Sequence, residues 1–281
     1  MLRLWLNLLP VCLLIFTACQ QPAAGPASTS DATPAAKPLP DVAALIQKLV
    51  TQDGAEDATA EMRLQLEEAD GAKAQLEFQL QRQYSPERVA TFLKVTAPRE
   101  DSDKALLAIE LPGRATEAYS YLAGLKKLAK LSSSNTLSFR SSKVTVQELL
   151  GMEFNQYAFG EGRWIKEGDT ELIEVEGKAK PDRNLAYPRV KVYFSGETPQ
   201  PVRFEVFDER NELLKTMRVE ELKTIQNRQT LTRLVVDEHQ TKRKVKLETR
   251  AIKYDQKLAG KIFTEDNLKA WVTSASLKLA Q

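Results

Sequence analysis

The sequence predicts a mainly β protein: one long, curved antiparallel sheet with few helices. Three observations carry this reading. Apolar and polar residues alternate with a period of two through several long segments. Turn signals at Asp70-Gly71, Gly196 to Gln200 and Asp208 to Glu212 separate them. Helical spacing is confined to short stretches near the ends and around residue 147. Strands that are apolar on one face only must curl to hide that face, into a barrel, a half-barrel or a sandwich.

In chain order, Asp41 can cap a helix whose apolar residues Val42, Leu45, Ile46, Leu49 and Val50 recur at helical spacing up to Asp53-Gly54. The period then becomes two. Met62, Leu64 and Leu66 alternate with polar neighbours, Asp70-Gly71 turns the chain, and Leu76, Phe78 and Leu80 form the matching strand. Val190, Val192 and Phe194, then Val202, Phe204 and Val206, and finally Val245, Leu247 and Ala251 repeat the pattern. Less regular strand candidates are Val89 to Val95, Lys104 to Leu111, Glu171 to Glu176, Leu213 to Leu222 and Thr230 to Glu238, which makes about ten strands. The remaining helices fall at Val144 to Leu150 and at Glu265 to Trp271, the latter capped by Thr264. Residues 41–281 show no internal repeat and no boundary, and read as one domain.

The 281 residues hold 40 Lys+Arg against 38 Asp+Glu, a formal charge of +2 that calls for no polyanionic partner; nucleic acid is not an expected ligand. One histidine, His239, and two cysteines, Cys12 and Cys19, leave no material for a His-clustered or Cys-rich metal site or for a disulfide framework. No metal or cofactor is expected.

Residues 1–18 carry one positive charge, Arg3, and a mostly apolar stretch from Leu4 to Phe16, too short to span a bilayer and typical of a secretory signal. It ends in Phe16-Thr17-Ala18-Cys19, which resembles the bacterial lipobox, with Phe16 departing from the usual Leu. That resemblance implies cleavage before Cys19 and lipidation of its thiol. Gln20, where inner-membrane retention often uses Asp, implies the periplasmic face of the outer membrane. Residues 19–40 then form a lipidated tether rich in Pro and Ala, spanning about 70 Å drawn out and on the order of 25 Å as a coil.

The run Arg88 to Ile109, with Phe92, Pro98, Leu106 and Leu107, precedes Tyr119-Ser120-Tyr121-Leu122 and Leu125-Lys126-Lys127-Leu128. Further on come Tyr187-Pro188-Arg189-Val190, Pro201-Val202-Arg203-Phe204-Glu205, Leu214-Lys215 and Phe263-Thr264-Glu265-Asp266-Asn267-Leu268. Taken in order over roughly residues 58–270, these resemble the outer-membrane lipoprotein-sorting (LolA-like) family, although no single motif is diagnostic. The resemblance implies an unclosed β-barrel with helices covering the concave face, holding acyl chains of lipoproteins or other lipids. It also allows an inner-membrane exporter as partner. The stretch Phe139 to Leu149 departs from the family pattern, having no acidic residue until Glu148, so no partner contact is carried over there.

Enclosing a sixteen-carbon chain hides apolar surface worth about 12 kcal/mol, at about 0.8 kcal/mol per methylene. The residues placed to line such a trough are Leu64, Leu66, Leu76, Phe78, Leu80, Val190, Val192, Phe204 and Val206. An apolar strand face is ordinarily packed core; the resemblance and the lipoprotein setting are what turn these residues into a lining. Lys126, Lys127 and Lys130, with Arg140 and Lys143, form a basic stretch after Tyr119 and Tyr121 that reads as a loop or rim meeting headgroups or a partner. A second basic run, Lys242 to Lys261, reads as a solvated strand face.

Signatures of catalysis are missing: there is no Gly-x-Ser-x-Gly, Ser-x-x-Lys, phosphate-binding glycine loop or His-Glu-x-x-His. Glu61, Glu77, Glu205 and Glu248 alternate with the apolar face and so point to water. His239 reads as a surface residue, and Trp164 and Trp271 as core or rim. The expectation is therefore a lipid-anchored, non-enzymatic carrier or acceptor. A lipid-sensing interaction protein on the same fold and a cell-wall polysaccharide hydrolase are the alternatives.

Overall fold

The computed structural model describes residues 37–279, apart from 52, 53, 133, 140, 141, 182, 184 and 197. The signal stretch, Cys19, the tether up to residue 36 and Arg140 lie outside the described residues. Asp41 opens α1 (Val42–Thr51), its Oδ1 accepting from the Ala44 amide at 3.1 Å. Two meanders follow. The first is β1 (Asp57–Glu67), β2 (Lys73–Ser85), β3 (Arg88–Ala97), β4 (Ala105–Glu110), β5 (Glu117–Leu122) and β6 (Lys127–Leu131). A separate hairpin, β7 (Thr136–Phe139) and β8 (Ser142–Thr145), leads into α2 (Val146–Leu150). The second meander is β9 (Tyr157–Glu167), β10 (Thr170–Ala179), β11 (Arg189–Ser195), β12 (Pro201–Phe207), β13 (Leu213–Ile225), β14 (Arg228–Glu238) and β15 (Lys244–Tyr254); α3 (Glu265–Leu279) ends the chain.

The thirteen strands outside the hairpin form one antiparallel sheet in the order β6, β5, β4, β3, β2, β1, β15, β14, β13, β12, β11, β10, β9. The meanders are joined where β1 pairs β15, with Leu64 opposite Leu247 and Leu66 opposite Val245. β6 and β9 are the two edges and do not pair with each other, so the curved sheet stays unclosed. The Asp70-Gly71 turn forms as the sequence predicts: Gly71 takes φ +84°, and Asp70 Oδ1 accepts from the Ala72 amide.

A continuous apolar core covers the concave face, from Leu64, Leu76 and Phe78 through Leu93 and Leu106 on one side to Val190, Val192 and Val206 on the other. α1, the hairpin and α2 pack onto it. α1 lies close over β9 at Gly162, where a Cβ would be 2.9 Å from Val42 Cγ2. α3 does not join them. Its Leu268 and Val272 pack with Ala90, Phe92, Ala105 and Leu107, whose neighbours Leu93, Leu106 and Ala108 face the concave core. Two helices thus cover the concave face, while α3 covers the outer face of β3 and β4, because both faces of these two strands are apolar.

Several expectations change in detail. Ala251 is exposed rather than on the apolar face with Val245 and Leu247. A bulge between Glu61 and Met62 shifts the register of β1 on β15, so Ile252 and Tyr254 turn inward beyond it. Val144 belongs to β8; helix begins only after Thr145, whose side chain and that of Glu148 form a capping box. The stretch read as a loop at Tyr119 to Lys130 is the β5–β6 hairpin at the sheet edge, turned by residues 123–125 and left-handed Lys126. β9 was not foreseen, its alternation being interrupted by Gly160 and Gly162.

Candidate functional site

The site is organised by α2. A helix of five residues cannot hold itself together; this one is held by its surroundings. Val146, Gln147, Leu149 and Leu150 are all buried. Arg82 Nη2 donates to the Leu150 carbonyl at 2.7 Å and Arg82 Nε to Thr91 Oγ1 at 2.8 Å. At the other end, Glu148 Oε1 accepts from Lys215 Nζ at 3.1 Å and pairs with Arg243.

Adjacent residues of α2 face different cavities. Leu150 borders one of ≈ 260 Å³ between α1 (Leu45, Lys48, Leu49), Met152, Phe154 and the concave face of the second meander at Phe204, Met217, Leu222, Leu231, Leu234 and Leu247. It shares Met152, Met217, Leu234 and Leu247 with a smaller pocket of ≈ 80 Å³, lined also by Leu64, Gln147, Glu148, Tyr187 and Lys215. Leu149 borders a cavity of ≈ 650 Å³ between Leu93, Val95 and Leu106, the hairpin residues Leu137 and Phe139, the β5–β6 turn at the sheet edge, and Val272 and Ser276 of α3. α2 therefore stands between two largely apolar cavities, one beneath α1 and one that runs from the concave face past the sheet edge to α3.

Of the nine residues expected to line a trough, Leu64 lines the smaller pocket and Phe204 the α1-side cavity. Leu66 borders a shallow recess at the strand ends beside Lys73, Lys244 and Lys246. Leu76, Phe78, Leu80, Val190, Val192 and Val206 are buried in the floor and line none of these cavities. The walls come instead from α1, Met152, Met217, Leu222, Leu231 and Leu234. The amphipathic face of α1 is legible in the sequence; β13 and β14, whose alternation is irregular, give no such signal. Lys126 and Lys127 are exposed at the β5–β6 turn beside exposed Leu122 and Leu125. Lys130 pairs with Glu117 at 2.8 Å and lies over the Tyr119 ring.

Electrostatics concentrate at both ends of α2. Glu148, Lys215, Glu238 and Arg243 form a buried network, with Lys215 Nζ 2.6 Å and Arg243 Nη2 2.8 Å from Glu238 Oε1. Burial alone would raise the Glu238 carboxyl; the hydrogen bond from Arg243, then the charge and hydrogen bond of Lys215, outweigh it and hold the group well below the usual carboxylate range. Burial alone would lower Lys215, but nearby Tyr187, Glu148 and Glu238 raise it. Near the other end, burial pushes the Glu110 carboxyl up to about 7; Arg82 opposes the shift and Glu153 adds to it.

The acids expected to face water are on the outer face. Glu77 pairs with Arg63 and Arg250, Glu205 with Arg203 and the Tyr193 hydroxyl, and Glu248 with Arg63, Arg233 and Lys246; Glu61 is exposed. His239 Nε2 is 2.8 Å from Thr216 Oγ1. Trp271 packs edge-on against Phe92, and Trp164 packs against the concave core. Among the described residues no cluster of His, Cys, Asp or Glu is arranged to hold a metal ion, and no helix is long and apolar enough to cross a membrane.

An unclosed antiparallel barrel whose concave face is covered by α1, a hairpin and a pinned short helix gives this molecule a LolA-like half-barrel fold. Solved structures of that class superpose on it. A putative outer membrane lipoprotein-sorting protein domain from Vibrio parahaemolyticus matches at TM-score 0.69 and 20% identity, over 80% of this chain and 97% of that one. A DUF1329 family protein from Desulfovibrio piger matches at TM-score 0.70 and 15% identity, over 80% and 96%. A LolA superfamily protein from Nitrosomonas europaea matches at 0.64 and 19%, over 79% and 99%. No curated protein matches the chain. A family model described as "uncharacterized protein"-like matches residues 87–270, and the chain belongs to that family.

Proposed function

We propose that this protein is a membrane-anchored periplasmic lipoprotein that takes up acyl chains of a lipoprotein or lipid in its half-barrel, as carrier or acceptor in outer-membrane lipoprotein or lipid trafficking. The observation that carries the reading is the pair of largely apolar compartments on either side of α2, a helix seated by a few polar contacts rather than by its own length. Lifting α2 joins the compartments into one trough. The lipoprotein-sorting description of the Vibrio relative supports the same reading. Cys19 supplies the anchor and the tether sets the reach. Lys126, Lys127 and Lys130, on the sheet edge beside Leu122 and Leu125, meet headgroups or a partner, an inner-membrane exporter among the partners the resemblance allows. The role is binding, with no catalytic step.

The test is native mass spectrometry with solvent extraction on protein recovered from the periplasm as the Cys19→Ser form. The expected result is a stoichiometric acyl-bearing ligand, lost on Leu231→Arg at the wall of the α1-side cavity. Protein that is folded and ligand-free in both forms would sink the carrier reading.

A further inference from the structure

We propose that the α1-side cavity and the smaller pocket beside α2 are one dead-end channel that holds a single acyl chain, methyl end inward, and selects it by length, with Val236 and Val245 at the closed end. This rests on the acyl-chain reading above and narrows its ligand. The order of residues along three neighbouring strands carries it. On β14, Gln229 and Leu231 line the α1-side cavity, Leu234 lines both spaces, Val236 lines the smaller pocket, and Glu238 of the ion network comes next on the same face. On β13, Leu222 lines the first space, Met217 both, and Lys215 the second, where it joins the network. On β15, Leu247 lines both and Val245 the second, two residues from Arg243 of the network. These strands pair with Met217 opposite Val236 and Val236 opposite Val245. The two spaces therefore follow one another along the sheet, and the network follows both.

From Gln229 to Val236 the channel runs seven residues, about 20 Å of strand. Its two ends differ. At the α1 end Lys48 and Gln229 are exposed, a polar rim that leaves a headgroup in water. At the other end Glu148, Lys215, Glu238 and Arg243 have side chains no more than 12% exposed and are paired with one another. A chain that grew past Val236 would have to break those buried pairs, which costs far more than a methylene gains. Met152 and Met217, unbranched and adaptable, line both spaces and let a chain pass between them. Each carbon added to the chain is therefore buried until the methyl end meets the network, and the next one stays in water. The ≈ 650 Å³ cavity gives no such stop, since it runs past the sheet edge to α3.

The experiment uses the full chain carrying Cys19→Ser, so that no acyl group of its own competes. Displacement of the dye N-phenyl-1-naphthylamine is measured with straight-chain saturated fatty acids of even length, from eight to eighteen carbons. The expected result is an affinity that rises about fourfold per methylene up to one length and is level beyond it. Val236→Phe, which fills the closed end, should move that break to a shorter chain and leave the eight-carbon acid unchanged. Val245→Ala, which hollows the same end, should move the break to a longer chain, and Leu137→Phe in the α3-side cavity should not move it. An affinity that climbs without a break to eighteen carbons overturns the length limit while leaving the carrier reading standing. So does a break that ignores both closed-end variants or follows Leu137→Phe. Binding of no fatty acid overturns the carrier reading and the channel with it. The parent series and Val245→Ala decide the matter even if Val236→Phe does not fold.

Discussion

Arg82 on β2 reaches across the concave face to the carbonyl of Leu150, the last residue of α2, at 2.7 Å. The bond matters because α2 has so few of its own: it closes a helix end that would otherwise leave buried carbonyls unpaired. Replacing Arg82 by Met is expected to loosen α2, seen as faster amide exchange at Val146 to Met152, and to cost about 1–3 kcal/mol of stability. Unchanged exchange in that segment would show that apolar packing alone seats the helix.

The opposite end of α2 is tied through Glu148 to Lys215, Arg243 and Glu238, and this tie is pH-dependent. The Glu238 carboxyl is held below its ordinary value of 4.5 in the folded protein. Its contribution is fully present above that value and is lost as the pH falls through the folded pKa. Melting curves from pH 6 down to pH 2 should therefore show an acid-side loss of stability that is smaller in Glu238→Gln, a variant already destabilised at neutral pH by an unbalanced Lys215 and Arg243.

Glu110 behaves in the opposite sense. Its folded pKa, about 7, lies above the ordinary 4.5 because burial disfavours the charged form. The folded state binds more protons than the unfolded state between those values, so stability falls as the pH rises through that window, by on the order of 3 kcal/mol. Glu110→Gln should raise stability at pH 8 more than at pH 5 in denaturant unfolding. An equal effect at both pH values would remove Glu110 as the titrating group.

The edge turn gives a prediction for membrane contact. With the anchor removed by Cys19→Ser, binding to vesicles containing phosphatidylglycerol should weaken about ten- to thirtyfold when Lys126 and Lys127 are both changed to Gln, at about 1 kcal/mol per lysine. The same change should have little effect on binding to neutral phosphatidylcholine. Equal binding of parent and variant to anionic vesicles would assign the two lysines to a protein partner or to solvent.

Much of the sheet was legible from alternation alone. Leu64, Leu66, Leu76 and Phe78 are buried as their spacing predicts, and the Asp70-Gly71 turn and the Asp41 and Thr264 caps form where expected. Alternation failed where the chain departs from a plain half-buried strand. A bulge moved Ala251 to the outside, two glycines interrupted β9, and β5 and β6 formed an edge hairpin where a loop was expected. The candidate site was less legible than the fold. Period two assigns a residue to the apolar face, and Val190, Val192 and Val206 belong there. It does not say whether a helix, another strand or open space lies over that residue.

The sequence by itself determined a one-sided antiparallel sheet with capped helices, because strand period, turn chemistry and helix capping act over a few neighbouring residues. Only the tertiary structure decided that β1 joins β15, that α3 packs outside while α1 and α2 pack inside, and that α2 stands between two cavities. Those outcomes depend on groups far apart in the chain, such as Arg82 with Leu150 and Glu148 with Lys215 and Arg243. The cavities are the space such long-range contacts leave unfilled, a property of the packed surfaces together and of no single stretch of sequence.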